Sequence, residues 1–312
     1  MSMPTISVVI PTYRRRQTLE RIVDAIAADP APRQIVVVVD GSDDGSMQLL
    51  RAMAGTEPRL EPVWQGKLGQ GAARDTGVGH TDSDVVLLLD DDVVAGPGLA
   101  TGHAKVHATL DRTLGRAVVL GYMPTRCPSP RRPGDFAARL YAEDYERACE
   151  RYEADPGSVI THLWAGNMSL RRADALAVGL DSGPGLLRHE DQAFGLRCAR
   201  AGLHGVFERS LAATHEHGQD LAGFERQFYQ QGRSRRRLAE LFPELVTADD
   251  PVGSLPAGPR QVVSALTVTH RAARPALRLA TRLAGRTRLW GAETAAARLL
   301  RQIELARGFR SA

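Results

Sequence analysis

Three consecutive carboxylates, Asp90, Asp91 and Asp92, directly follow the apolar run at residues 85–89. Like charges at such spacing repel one another and call for compensation by a cation or by helix N-termini. Hard divalent cations such as Mg²⁺ and Mn²⁺ take oxygen ligands and often bridge to phosphates of a bound substrate. The competing reading is a solvated turn that caps the next helix; the buried strand in front of the acids favours a cation. Alternation along an extended segment predicts that Asp90 and Asp92 face one way and Asp91 another. A further acid, Asp40, ends a second apolar run. Farther on, His215-Glu216-His217 follows the strand-like residues 211–214, and alternation puts both imidazoles on one side. Either could serve Mn²⁺ or simply be structural.

The elements that must position these groups are legible as a pattern. Residues 6–10 form a β-branched run ended by Pro11, which reads as a buried parallel strand. A helix over 18–28 follows, with Leu19, Ile22, Val23 and Ile26 on one face. Residues 35–39 are the next strand, and Ser42 or Asp44 can cap a helix carrying Met47, Leu49, Leu50 and Met53. Residues 59–64 make a shorter strand, and the Gly-rich segment 66–79 enters a helix near Ala72. Strands alternating with helices require parallel pairing, and ligands of such sheets bind beyond the carboxyl ends of the strands. Pro11-Thr12-Tyr13, Asp40 and Asp90 to Asp92 should therefore converge on one crevice. The second half is less regular. It holds a Pro-rich loop at 127–133, a helix over 135–153, a strand-like run over 159–170, a helix over 189–201, and a basic helix after Gly218 with Phe224, Phe228 and Tyr229.

Composition narrows the class. The chain has 312 residues, 43% hydrophobic and 24% charged, which argues against a disordered or membrane-embedded protein. Three cysteines without CxxC spacing argue against a disulfide framework or a zinc knuckle and point to a reducing compartment. With no secretory leader and no apolar run of membrane-spanning length, a cytoplasmic location is expected. The net charge of +4 is unevenly spread: residues 251–312 carry 11 arginines and two acids, Glu293 and Glu304. Lys67 and Lys105 are the only lysines against 38 arginines, which reads as a high-GC codon bias rather than nucleic-acid binding.

The ordered motifs Ile-Ser-Val-Val-Ile-Pro-Thr-Tyr, Val-Val-Asp40-Gly-Ser-Asp-Asp-Gly-Ser, Leu-Leu-Leu-Asp-Asp-Asp, Ala165-Gly166-Asn167-Met168-Ser169 and His189-Glu190-Asp191 together resemble a family 2 glycosyltransferase. The resemblance covers about residues 5–240. It implies a GT-A fold: a Rossmann-like, mixed but mainly parallel sheet flanked by helices, with a helical C-terminal extension. It also implies a nucleotide-diphosphate sugar donor, Mn²⁺ or Mg²⁺, and inversion at the anomeric carbon. The expected division is a catalytic domain over 1–220, with a nucleotide-sugar half to about 120 and an acceptor half over 121–220, and an Arg-rich helical extension over 221–312.

By position in those motifs, Asp40 matches the carboxylate that meets the donor base, and Pro11, Thr12 and Tyr13 line the nucleoside pocket. Val39 stands where the family often has another acid, which leaves the nucleotide open: a UDP-sugar is favoured, with GDP and dTDP as alternatives. Lys67 and Arg74 lie where the family places basic contacts, although Lys67 fits a solvated loop equally well; Asp75 replaces a family Asn. Asp92 matches the metal ligand, with Asp90 on the ribose or a metal-bound water and Asp91 beside it; His215 or His217 could add a further ligand. Asp191, with Glu190 as neighbouring fallback, matches the base that takes the acceptor hydroxyl proton. The same two acids would also suit a helix macrodipole. Trp164, Gly166 and Asn167 sit where the acceptor or donor sugar binds, with Trp164 stacking on a sugar or filling core.

Rival readings are a sugar nucleotidyltransferase, which would show a Gly-rich loop directly after the first strand, a receiver-like regulatory domain, and a non-catalytic nucleotide-sugar-binding relative. The acceptor is a hydroxyl of unknown identity. Arg271, Arg274, Arg278 and Arg282 recur at helical spacing, which fits either peripheral contact with an anionic membrane or a packed helix with its arginines in water.

Overall fold

Continuous β-branched and leucine runs have no polar face to offer water, and they become buried strands. The computed structural model describes residues 3–183, 186, 188–247, 249–253 and 255–311. In chain order the elements are β1 (Ile6–Thr12), α1 (Arg16–Ala27), β2 (Pro32–Asp40), α2 (Ser46–Ala54), β3 (Leu60–Gln65), α3 (Gln70–Gly79) and β4 (Val85–Leu89). There follow β5 (Val93–Ala95), α4 (Leu99–Thr113), β6 (Ala117–Tyr122), α5 (Phe136–Ala154), α6 (Ser158–Thr161), β7 (Asn167–Arg171) and α7 (Arg172–Val178). The remainder is α8 (Glu190–Arg200), β8 (His204–His215), α9 (Leu221–Leu241), α10 (Ala257–Val268), α11 (His270–Arg286) and α12 (Trp290–Arg310).

The strands form one sheet in the order β3-β2-β1-β4-β7-β6-β8-β5. β3, β2, β1 and β4 are mutually parallel, as their helical crossovers demand. β7 runs antiparallel between β4 and β6, β8 is parallel to β6, and β5 is a short antiparallel edge on β8. β1 is flanked by β2 and β4, so the strand order reverses there. That switch point opens a crevice beyond the carboxyl ends of β1 and β4, where both motif loops begin.

Two parts of the second half differ from the sequence reading. The apolar run over 159–170 opens as the single helical turn α6, and only Asn167–Arg171 is strand. Short apolar runs carry no decisive period, and tertiary packing settled the choice. α4 and β6 were not marked by the sequence. The inner face of α4 is Leu99, Ala100, His103, Ala104 and His107, so two buried histidines disguise its apolar period.

Packing gathers the chain into two compact units. The first comprises Met1–Pro124, Glu146–Ser182 and Glu190–Glu216 and contains the whole sheet. Its core joins Val9, Val36, Val86 and Leu88 to Met168, Leu170, Phe194 and Leu203.

The second unit comprises Thr125–Tyr145, Gly183–His189 and His217–Ala312. Its core is built on Phe136, Leu140, Phe224, Phe228 and Ala297. Phe224 stands edge-on to Phe136 at 5.2 Å and to Phe228 at 4.7 Å. α9 and α12 approach so closely that a Cβ on Gly232 or Gly308 would strike the backbone of the facing helix. The buried acids Glu225, Glu293 and Glu304 are matched by arginines. Arg278 Nε donates to both Glu225 oxygens at 2.7 Å, Arg274 and Arg307 hold Glu304, and Arg131 donates to Glu293 at 2.8 Å. Two arginines of the expected basic stripe thus lie on buried carboxylates rather than in water. No described helix is long and apolar enough to cross a membrane.

Candidate active site

Leu89 ends β4 in register with Asn167 of β7, and the chain then turns, with Val93 N donating to Asp90 O at 3.0 Å. Alternation therefore stops at Leu89, and the three carboxylates do not sort as an extended strand would sort them. Asp90 faces α3: its Oδ1 accepts from Arg74 at 2.7 Å and from Gln70 at 2.9 Å. Asp91 and Asp92 instead share Arg15, at 3.7 and 3.0 Å, and Tyr13 N donates to Asp91 at 3.3 Å. Arg15 escaped the sequence reading. The available signal was the basic run Arg14-Arg15-Arg16 just past β1, the strand that pairs with β4.

One guanidinium does not balance two half-buried acids. Burial, reinforced for Asp92 by repulsion from Asp90 and Asp91, pushes Asp91 up to about 6 and Asp92 up to about 7 despite Arg15. Such a shift marks a place short of positive charge. Among the described residues no three His, Cys, Asp or Glu form a ready-made metal cage. A hard divalent cation such as Mg²⁺ commonly takes one or two carboxylates and completes its shell with substrate phosphate and water. Asp91 and Asp92 therefore fit Mn²⁺ or Mg²⁺ by donor chemistry and by charge deficit.

The histidines separate. β8 ends at His215, which lies opposite Val93 with its Nε2 3.6 Å from Asp92. His217 lies past the strand end, so alternation no longer governs it; its ring stacks on Tyr141 at 4.6 Å within the second unit.

Arg74 is the hinge of the site's electrostatics. It is 5% exposed on α3, and it donates to Asp90 at 2.7 Å and to Asp191 at 2.9 Å. Burial opposes its charge, and the two carboxylates outweigh burial, so its pKa is raised. Asp191, in the first turn of α8, also accepts from Ala165 N at 3.1 Å. Glu190 precedes it as the first residue of that helix. Gly166 sits at φ 141°, and a Cβ there would crowd Met123 and approach Asp90, so the backbone passes the acid only as glycine.

Asp40, at the end of β2, has a full complement of donors. Oδ1 accepts from Gln65 Nε2 at 2.9 Å and Leu68 N at 2.8 Å; Oδ2 accepts from Lys67 Nζ at 2.8 Å and Gly69 N at 3.0 Å. Burial works to raise it, and these donors hold it below the usual carboxylate range. Lys67 Nζ also lies 3.4 Å from the centre of the exposed Tyr13 ring. Thr12 is buried at the end of β1, next to Pro11.

Asn167, expected at the sugar, is tied into the core. Asn167 is 1% exposed, its amide bonded to His103 Nε2 at 3.0 Å and Leu211 O at 3.0 Å. Burial pushes His103 down to about 4 and His107 down to about 3, so this knot around Asn167 and Ser169 is neutral and structural. Trp164 packs partly buried against the main core.

The sequence profile of glycosyl transferase family 2 matches residues 7–175, more than half of the chain. The chain belongs to that family. The mannosyltransferase PcManGT from Pyrobaculum calidifontis, solved with GDP-Man and Mn²⁺, aligns over 96% of this chain and 86% of its own, with 16% identity and a TM-score of 0.61. S. aureus TarS 1-349, solved with UDP-GlcNAc, aligns over 95% and 91%, with 16% identity and a TM-score of 0.51. At such identity the likeness is one of fold, the GT-A arrangement. The glycosyltransferase AglE of Haloferax volcanii is 27% identical over 95 residues, 29% of this chain and 31% of that relative. The chain thus spans about a third of the length of that curated relative.

Proposed function

We propose that this family 2 chain is an inverting, metal-dependent glycosyltransferase that moves a sugar from a nucleotide diphosphate to a hydroxyl acceptor. The observation that carries the reading is Arg74, buried between Asp90 and Asp191. It ties the strand end that would receive the donor to the helix that presents the base, and it keeps the Asp191 carboxylate oriented. Asp191 takes the acceptor hydroxyl proton as the acceptor oxygen bonds to the anomeric carbon. The bond from that carbon to the diphosphate oxygen breaks in the same displacement, and the nucleoside diphosphate leaves with the electron pair. Asp91 and Asp92 would hold Mn²⁺ or Mg²⁺, whose chemistry is to offset charge on the diphosphate. Arg15 adds a fixed positive charge beside them, and His215 supports Asp92.

Tyr13 offers a ring to the donor base. Asp40 would meet the base when Lys67 gives up its place on Oδ2, which frees Lys67 to meet the diphosphate. A UDP-sugar is the proposed donor, with GDP- and dTDP-sugars as the alternatives. Thermal-shift titration with UDP, GDP, dTDP and CDP, each with Mn²⁺, tests the class and names the nucleotide. Stabilisation by one nucleotide only when Mn²⁺ is present is expected; no response to any of them removes the reading.

A further inference from the structure

A helix that rests on a core normally turns polar residues of both charges toward water. In the helical unit, α11 does not. Thr281, Ala284 and Gly285 are buried on its inner side. From the margins of that side Arg274 and Arg278 answer Glu304 and Glu225. Every exposed residue of α11 is either an arginine (Arg271, Arg282, Arg286) or apolar: Ala272, Pro275, Ala276, Leu279, Ala280 and Leu283. Leu279 is 57% exposed and Leu283 50%. At about 3.6 residues per turn these positions make one continuous arc of about half the helix. The arginines run along one flank of the arc, and Leu279, Leu283 and the alanines fill the rest. Val268 at the end of α10 and Leu289 just past α11 are 79% and 61% exposed, so large apolar side chains also stand open at both ends of the helix.

The charge around this face has one sign. From residue 257 to residue 310 the only acids are Glu293 and Glu304. Each is 1% exposed and held by arginine, so α10, α11 and α12 put no exposed acid on the surface. Asp135 and Asp220 line the same hollow as Arg282 and Arg286 and offset part of that flank. With both of them counted, the helical unit still carries 21 arginines against 11 acids. We propose that this face rests on an anionic phospholipid surface. α11 lies in the plane of the interface, with Leu279 and Leu283 below the headgroups and the arginines on lipid phosphates. A nucleic acid would match the charge and leave the apolar arc unused. A second copy of the chain would match the apolar arc and bring arginines against arginines. The face draws on no residue of the carboxylate site, so it stands or falls apart from the glycosyl-transfer reading.

The test is co-sedimentation of the full chain, without donor or metal, with two kinds of vesicle. One is phosphatidylcholine alone, the other equimolar phosphatidylcholine and phosphatidylglycerol. Binding is expected only to the second, and high salt should remove most of it by screening the arginines. Arg271→Gln/Arg282→Gln/Arg286→Gln should weaken it by about 100-fold, and Leu279→Gln/Leu283→Gln by about 10-fold. All five side chains are exposed and glutamine suits a helix, so both variants should keep the wild-type melting temperature. The lipid and salt arms use the wild type alone and decide the matter even where a variant misfolds. No binding to the anionic vesicles, or equal binding to the neutral ones, overturns the proposal. Vesicle binding that the leucine variant leaves unchanged overturns the interfacial helix. Duplex RNA bound as tightly as the vesicles, by wild type and leucine variant alike, assigns the arginines to a nucleic acid and overturns it. Sedimentation velocity covers the last case: a dimer that binds no vesicles and that the leucine variant splits makes this face a contact between copies and overturns it as well.

Discussion

Both compact units bury carboxylates, and they treat them in opposite ways. In the helical unit, Glu225, Glu293 and Glu304 are at most 4% exposed and each meets at least one arginine. In the sheet unit, Asp91 and Asp92 share the single Arg15, and both are held above the usual carboxylate range. The first set is a finished network whose removal leaves charges stranded. The second is a network with one positive partner short. A buried acid alone is therefore no sign of function in this protein; the acids proposed to hold a cation are the two that share one guanidinium.

The sharpest way to break that contrast is kinetic. Asp191→Asn should lower transfer by about 10²- to 10⁴-fold, the range of a lost general base. It should leave the Mn²⁺-dependent thermal shift with nucleotide in place. Wild-type turnover in that variant would remove Asp191 as the base.

Stability changes of opposite sign come next. Glu225→Gln strands Arg278 and should destabilise the protein by about 3–5 kcal/mol, as breaking one side of a buried ion pair does. Asp92→Asn in metal-free protein relieves repulsion and should raise the melting temperature by about 2–4 °C, roughly 1 kcal/mol. Urea and thermal denaturation measure both. Equal losses in the two variants would erase the distinction between the networks.

Saturating Mn²⁺ should stabilise the wild type by about 2.7 kcal/mol at a hundredfold excess over Kd and should do nothing for Asp92→Asn. The smallest effect is the pH dependence. Asp91 and Asp92 have folded pKa values raised to about 6 and about 7. Their stabilising contribution is full below the unfolded carboxylate range, about 4, and is lost as pH rises through 6 to 7. Metal needs the ionised form, so the Mn²⁺-induced shift should grow over the same interval. Asp40, whose pKa is lowered, behaves in reverse: its contribution holds above that range and is lost as the solution is acidified. Melting curves from pH 4 to pH 8, with and without Mn²⁺, resolve the two directions. A Mn²⁺ shift independent of pH would detach the cation from these acids.

Much of the first 90 residues was legible because each strand is a single uninterrupted apolar run. The acids then stand where such a run stops. α4 was not, because His103 and His107 occupy core positions and hide the helical period; β6 is such an apolar run and was passed over all the same. The strand assigned to 159–170 was too long for a similar reason, since a short apolar run suits a buried helical turn as well as a strand.

By itself, the sequence determined the parallel half of the sheet, its strand-end acids and its family, because those are carried by local pattern and ordered motifs. Only the tertiary structure decided how the acids divide: Asp90 to Arg74, Asp91 and Asp92 to Arg15, Asp191 to the other arm of Arg74. It also decided that Asn167 belongs to the core and that Arg274 and Arg278 answer buried glutamates, while Arg282 and Arg286 have no ion-pair partner among the described residues. The physical reason is common to all of these. Charge is compensated through space, by partners that lie far away along the chain, and spacing along one strand or helix does not name them.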